Sequence, residues 1–325
     1  MNKILITGSA GFIGSIVSQY LINKGFYIFG VDNLSTGQNL IYSKNYKFVK
    51  GDFSSQKIIN LIKKNSIDSV IHLAASIDNA ESVKKPNKYI ENNYTKSVKF
   101  YKKCELNNIQ NFIFSSSAAV YGKVMGKKKL SEKSNTKPIT PYGRSKLMFE
   151  KFLKEKNTKQ IKITILRFFN IAGTSFDYKF SQSFKSYNHI FKKLTELELI
   201  KKKKYDFIIN GRDYLTKDKT CVRDYVHAQD IAKIFFLILR DKKKRKLVEV
   251  FNCCTGKAVS VLQIVKLFTK YSRKKIQYSF GPRRPGDPPF LVGNNKKITN
   301  RFKFRFNTYH KICKDIFKYI NEKKS

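Results

Sequence analysis

Short apolar runs alternate with longer amphipathic stretches through the first half of the chain. Lys3–Thr7 (KILIT) has the length and β-rich character of a buried strand, and Gly14–Lys24 follows with helical periodicity. The same reading predicts strands at Tyr27–Asp32, Tyr46–Lys50, Ser69–Leu73, Asn111–Ser115 and Lys162–Phe168. Helices are predicted at Ser55–Lys64, Tyr89–Glu105 and Tyr142–Lys154. Strands separated by helices at this rhythm imply βαβ units joined by right-handed crossovers, hence an α/β fold with a doubly wound parallel sheet covered on both faces.

Past about residue 170 the pattern loosens. Polar and aromatic residues dominate Thr174–Asn188, and Gly281–Pro289 is a Gly/Pro-rich loop. The expectation is a first domain over residues 1–170 and a smaller mixed α+β domain over 171–325. Ala228–Leu239 reads as a helix, and residues 228–255 are expected to pack back on the first domain. No internal repeat is apparent.

Composition adds an unusual charge: 66 Lys+Arg against 23 Asp+Glu, a formal net of +43. A field of that sign attracts polyanions. The lysines, however, are spread from end to end, with only short runs at Lys201–Lys204 and Lys242–Lys246, whereas a dedicated nucleic-acid site concentrates its charge. The chain is also rich in Lys, Asn, Ile, Phe and Tyr and has no Trp, the bias of an AT-rich coding sequence, so no specific nucleic-acid partner is expected. Five cysteines without a CxxC and four scattered histidines indicate neither a disulfide framework nor a metal site, and fit the reducing cytoplasm. The most apolar stretch, Ile234–Leu239, is far short of the roughly 20 residues that span a bilayer, so no membrane association is expected.

The first chemical motif is Thr7-Gly8-Ser9-Ala10-Gly11-Phe12-Ile13-Gly14, between the first strand and the first helix. Gly8 permits a tight turn, Gly11 lets the backbone approach a pyrophosphate, and Gly14 allows the helix to lie close to the strand. The unpaired N–H groups of the helix start suit phosphate oxygens. Asp32 ends the second strand, where a carboxylate can accept from an adenosine ribose and repel the phosphate of NADP. Strand, glycine turn, helix, strand and acidic end together read as a Rossmann-type site for NAD.

The second motif is Tyr142-Gly143-Arg144-Ser145-Lys146 at a predicted helix start. Residues four apart share a helix face, so Tyr142 and Lys146 can address one point. A nearby ammonium and a cationic nicotinamide would both favour the phenolate, giving a base for a hydroxyl proton. Ser115-Ser116-Ser117 follows a strand and offers a hydroxyl to the reacting oxygen.

With these residues in view, the chain resembles the extended short-chain dehydrogenase/reductase family and, within it, the UDP-glucose 4-epimerases. The likeness runs through nearly the whole chain, with Phe112–Gly122 (FIFSSSAAVYG) and Val222–His227 (VRDYVH) its most specific segments. It implies that Ser117, Tyr142 and Lys146 are catalytic. Gly8, Gly11, Phe12, Ile13, Gly14, Asp32, Asn33, Asp52, Phe53, Leu73, Ala74, Ala75 and Asn92 would hold NAD together with Tyr142 and Lys146. Ser117, Asn170, His189, Ile190, Arg223, Arg284 and Asp287 would contact the UDP-sugar. Related dehydratases carry an acid where this chain has Ser117-Ala118-Ala119, which argues against dehydration. Departures are Ile77 in place of a common lysine, Phe168 in place of a tyrosine, and a replaced segment at Thr174–Lys193.

The implied reaction is transient oxidation at C4 of a UDP-sugar with NAD retained. UDP-galactose and UDP-glucose are the first expectation; an N-acetylhexosamine or a uronic acid is the alternative, and Leu291 near the sugar does not decide it. A basic nucleic-acid-binding protein on a vestigial Rossmann domain is the reading from another class. The resemblance also implies a homodimer through Tyr89–Glu105 and Tyr142–Lys154, with Val98, Tyr101, Leu147 and Phe149 as candidate contacts.

Overall fold

The computed structural model describes residues 2–123, 126–156, 161–182, 189–200, 204–241, 243, 247–272, 274–284 and 287–324. Its main sheet contains β1 (Lys3–Thr7), β2 (Tyr27–Asp32), β3 (Tyr46–Lys50), β4 (Ser69–His72), β5 (Asn111–Ser117) and β6 (Lys162–Phe168). A seventh strand from much later in the chain, Val248–Cys253, pairs with β6. From that edge the order runs Val248–Cys253, β6, β5, β4, β1, β2, β3, all parallel. The order reverses direction between β1 and β4, and the crevice at such a switch point is where doubly wound sheets bind ligands.

Alternation along each strand sends neighbouring residues to opposite faces. Ile4 and Ile6 enter one core with Ile16, Val17, Leu21 and Phe235; Leu5 enters the other with Phe29, Phe100, Phe112 and Phe149. Helix α1 (Phe12–Asn23) lies on the first face beside the helix Ala228–Arg240. On the opposite face lie α2 (Gln56–Asn65), α5 (Lys96–Leu106) and α6 (Pro141–Glu155). Between β4 and α5 run α3 (Asn79–Lys84) and α4 (Pro86–Ile90).

The stretch expected as one regular helix from Tyr89 to Glu105 instead contains a π-turn at Glu91–Thr95. Its wider loop accommodates Asn93, whose amide spans two neighbours: Nδ2 donates to the Ser76 carbonyl (2.9 Å) and to Ser145 Oγ (3.1 Å), while Oδ1 accepts from the Ser76 N–H (2.8 Å). Such bulges concentrate at functional sites.

The later residues build a separate apolar core around Phe191, Leu194, Phe207, Ile264, Phe268 and Ile316. Its strands fall into three small sheets: Tyr225–His227 with Asn170–Ala172, Val222–Arg223 between Val259–Ser260 and Phe290–Leu291, and the longer pair Lys204–Asn210 with Lys275–Gly281. Buried His227 caps the helix Ala228–Arg240 through Nδ1 and donates from Nε2 to Asp315 (3.1 Å), pinning the C-terminal helix Tyr309–Lys324 to this core. Among the described residues no helix is long and apolar enough to cross a membrane.

Candidate active site

A cleft of about 700 Å³ opens above the carboxyl ends of β1, β4 and β5. At one end the glycine turn carries the geometry its spacing predicts. Gly8 has φ +72°, and a Cβ there would lie 2.8 Å from the Ala74 nitrogen; a Cβ on Gly14 would lie 2.0 Å from the Gly8 carbonyl oxygen. The close approach of α1 to the turn therefore excludes any side chain at Gly14. Asp32 closes this end: its Oδ2 accepts from the Ala10 N–H (3.0 Å) and Oδ1 from the Leu34 N–H (2.8 Å). Each oxygen has a second lone pair, so the carboxylate shapes the turn and still has capacity toward the cleft. Burial pushes its carboxyl above the ordinary range, against those two N–H groups, which pull it down.

Further along the wall, Asp52 pairs with Lys96 at 2.6 Å and accepts from Ser54. Desolvation opposes its ionisation, but Lys96 and the Ser54 donors prevail and hold it below the usual carboxylate range. Asn33, Phe53, Leu73, Ala74, Ala75 and Asn92 line the same wall. Beneath it Thr7 Oγ1 contacts His72 Nδ1 at 2.7 Å while His72 Nε2 meets Ser97 Oγ. Burial first, then the Lys146 charge, carry His72 down to about 3, so it is a neutral structural imidazole.

At the centre, β5 runs through Ser117 and α6 begins beneath it, its start capped by Thr140 Oγ1 accepting from the Gly143 N–H. Tyr142, Lys146 and Ser117 all line the cleft. The Tyr142 phenol sits beside the Ser117 hydroxyl, which favours its ionised form, while Lys146 Nζ donates to the Ser115 carbonyl at 2.8 Å and lies 4.8 Å from the Phe114 ring centre. The phenolate was expected from the ammonium and the cationic nicotinamide together, and the protein's own groups supply only part of that balance. Burial raises the phenol, outweighing the Ser117 hydroxyl beside it, and burial also lowers Lys146 to about 7 despite the Glu150 charge that supports it. Both groups are pushed toward their neutral forms by desolvation, Lys146 being buried and Tyr142 half-buried in the cleft wall.

At the far end, Asn170, Arg223 and Asp287 converge from three distant segments. Arg223 Nη1 donates to the carbonyls of Val222 (3.0 Å) and Pro288 (2.7 Å), and Nη2 lies 3.3 Å from Asp287 Oδ1. Asp224, beside Arg223, faces away from the cleft and accepts from Thr255, Gly256 and Gly293. That knot draws the loops carrying Arg223 and Leu291 together.

Three expected substrate contacts are not on this wall. His189 is buried with its ring against Phe191 and Tyr225, Ile190 begins the helix Ile190–Leu199 and packs on the later core, and Arg284 is set back beside His189, which its charge helps depress. Conversely, Gln182 lines the cleft, anchored to the Ile171 carbonyl at 2.7 Å, although no periodicity marks it. Glu150 and Arg167 form an ion pair at 2.6 Å below the centre; the four-residue step from Lys146 marks Glu150, and no spacing marks Arg167.

Comparison with known proteins places the chain. Residues 4–254 match the model of the NAD dependent epimerase/dehydratase family. A UDP-glucose 4-epimerase of Lactobacillus helveticus is 36 % identical over 297 residues, 91 % of this chain and 89 % of that protein. The structure of the UDP-glucose 4-epimerase of Bifidobacterium longum, solved with NAD+ and UDP, superposes with a TM-score of 0.91 at 28 % identity, covering 99 % of each chain. That of the UDP-Glc/GlcNAc 4-epimerase of Campylobacter jejuni gives 0.80 at 33 % identity, over 99 % of this chain and 100 % of that one. With the glycine turn, the Ser117–Tyr142–Lys146 centre and the match over most of its length in agreement, the chain belongs to the NAD dependent epimerase/dehydratase family.

Proposed function

We infer that this chain is a UDP-glucose 4-epimerase, interconverting UDP-galactose and UDP-glucose with bound NAD. The observation that carries this reading is one cleft with three chemistries in sequence: the glycine turn with Asp32, the Ser117–Tyr142–Lys146 centre, and Arg223 with Asp287. The first fits a dinucleotide, since the space beside Gly8 and Gly14 is closed to side chains and α1 begins at that turn, where a helix start suits phosphate oxygens. Gly8, Gly11, Phe12, Ile13, Gly14, Asp32, Asn33, Asp52, Phe53, Leu73, Ala74, Ala75 and Asn92 are the residues that would hold it. Bound NAD supplies a hydride acceptor that is restored every turnover.

The protein's own groups manage the proton and the substrate. Tyr142 takes the proton of the C4 hydroxyl, its phenolate favoured once a cationic ring lies beside it and Lys146 carries its charge. Ser117 donates a hydrogen bond to the same oxygen. Arg223 neutralises the diphosphate and Asp287 accepts from nucleoside hydroxyls. Anchoring the UDP end leaves the sugar free to present either face, so the binding energy does not oppose the turn. Ala118 and Ala119, on the cleft wall, offer no acid to expel a 6-hydroxyl. Incubating the purified protein with UDP-galactose, without added NAD, tests the reading; UDP-glucose is the expected product. Conversion of only the N-acetylated forms would instead support the alternative sugar class.

A homodimer built on α5 and α6 and a cytoplasmic location complete the proposal. Tyr101 and Phe149 are buried within the protomer and Leu147 nearly so, which leaves half-buried Tyr94, Val98, Met148 and Phe152 as contacts. The five cysteines are buried free thiols, as suits a reducing compartment. Sedimentation at micromolar concentration should show a dimer; a monomer would overturn that part.

A further inference from the structure

We propose that Glu150 and Arg167 form a buried charged clamp that holds Tyr142, Lys146 and Ser117 in register, making both of them positioning residues for the proton transfer. This inference rests on the epimerase reading given above.

Its basis is a three-on-three match between a helix face and a strand end. Tyr142, Lys146 and Glu150 stand four residues apart on α6 and so share one face. The three consecutive residues ending β5 each meet one of them. Ser117 lies beside Tyr142 on the cleft wall, the Ser115 carbonyl accepts from Lys146, and the Ser116 hydroxyl donates to Glu150 Oε1. Arg167 stands opposite Ser116 on β6 and locks the third pair with a two-pronged contact, Nε to Oε1 at 2.9 Å and Nη2 to Oε2 at 2.6 Å. Its remaining nitrogen, Nη1, donates to Tyr121 Oη (3.0 Å), and Tyr121 donates to Asn252 Oδ1 on the edge strand. The clamp therefore ties α6 to the sheet at β5, β6 and Val248–Cys253.

Burial explains why such a pair is informative. Arg167 is among the largest fully buried side chains, and Glu150 is fully buried with it. Desolvating two charges gives little net stability, and well-packed apolar residues often replace such pairs without loss. Fixing geometry is the use that remains. Apolar contacts alone let a helix shift along a sheet, and one residue of slip is about 1.5 Å. A misplacement of about 1 Å costs on the order of 100-fold in rate.

The clamp also supplies charge. Facing Lys146 are Tyr142 and Glu150 from its own helix, neutral His72 from β4, the Ser115 carbonyl and Phe114 ring from β5, and, beyond Glu150, Arg167 from β6 and Tyr121 from the turn after β5. Among these partners, Glu150 is the carboxylate. Without its charge, Lys146 would sit near an uncompensated guanidinium and surrender its proton at lower pH.

The test compares wild type with Glu150→Gln and the double variant Glu150→Gln/Arg167→Met, scaling rates to NAD-loaded subunits. Glu150→Gln should lose roughly 10–100-fold in kcat while KM for the UDP-sugar stays unchanged. Its high-pH limb of kcat/KM should move toward acid, a change that loss of folded protein alone cannot produce. The double variant removes both charges and keeps apolar volume, so it should regain stability and NAD loading without regaining kcat. Wild-type kcat and an unmoved limb in folded Glu150→Gln, or wild-type kcat in the double variant, would overturn the clamp. Inactivity of wild type itself would instead count against the epimerase reading.

Discussion

The two ends of the cleft are built on different principles. The cofactor end is made of backbone: a glycine turn, a helix start and the ends of adjacent parallel strands, with Asp32 held by two N–H groups before any ligand arrives. The substrate end is made of side chains, where Asn170, Arg223 and Asp287 come from segments over fifty residues apart and meet only because the Asp224 knot draws their loops together. The first end is fixed by sterics at single atoms, and the second by long-range assembly. Damage to the first should remove cofactor and stability together, whereas damage to the second should remove substrate affinity alone.

The largest effect is expected at the centre, which belongs to neither end. Tyr142→Phe deletes a hydroxyl and keeps the ring, so epimerisation should fall by at least about 10²–10⁴-fold with stability and UDP binding retained. A near wild-type rate at full NAD occupancy would refute the assignment of Tyr142 as base. Lys146→Met should act through the same group, so the double variant should lose much less than the product of the two single losses.

Next in size, Gly14→Ala should destabilise the fold by about 3 kcal/mol and empty the protein of NAD, because the added carbon meets the Gly8 carbonyl. Urea unfolding and the NAD content of purified protein measure both; loss of either without the other would break the claim that this end is one backbone unit.

A crossed pair sharpens the contrast. Arg223→Ala should weaken UDP binding roughly 10–100-fold and leave NAD retention intact, and Asp32→Ser should do the reverse while relaxing discrimination against NADP. Calorimetric titration with UDP against retained NAD reads the two losses, and a shared loss in either variant would show the ends to be coupled.

The smallest effect concerns pH. Burial pushes Asp224 up to about 6 although Thr255, Gly256 and Gly293 donate to it. The folded carboxyl thus keeps its proton to higher pH than the unfolded one, so its contribution to stability is full below about pH 4 and is lost as pH rises through 6. Asp224→Asn should flatten that decline by about 1–3 kcal/mol in urea melts at stepped pH. An unchanged slope would place the decline in other groups.

The same division governs what could be read from residues alone. The strands β1, β2 and β4 to β6 were legible because burial gives each a short apolar run, the edge strand β3 because its lysines are interspersed with Tyr46, Phe48 and Val49, and the glycine turn because its sterics admit no substitute. Tyr142 and Lys146 were legible from helical spacing. Arg223 and Asp287 came from resemblance, since strands of two or three residues, such as Val222–Arg223 and Phe290–Leu291, are too short for any periodicity. The π-turn at Glu91–Thr95 escaped because its cause, the amide of Asn93 bridging Ser76 and Ser145, lies in residues distant in the chain. Spacing likewise shows that Tyr142 and Lys146 meet, and only the fold shows that Lys146 is buried.

The edge strand Val248–Cys253 has a consequence for the order in which the protein is made. Until it emerges from the ribosome, β6 is an open edge able to pair with another chain, and Tyr121 lacks the Asn252 acceptor that completes the network below the active site. Between the synthesis of Phe168 and Cys253 the nascent enzyme passes on the order of ten seconds in that state. The catalytic centre, although all its chemical groups lie before residue 150, is finished only by a strand translated a hundred residues later.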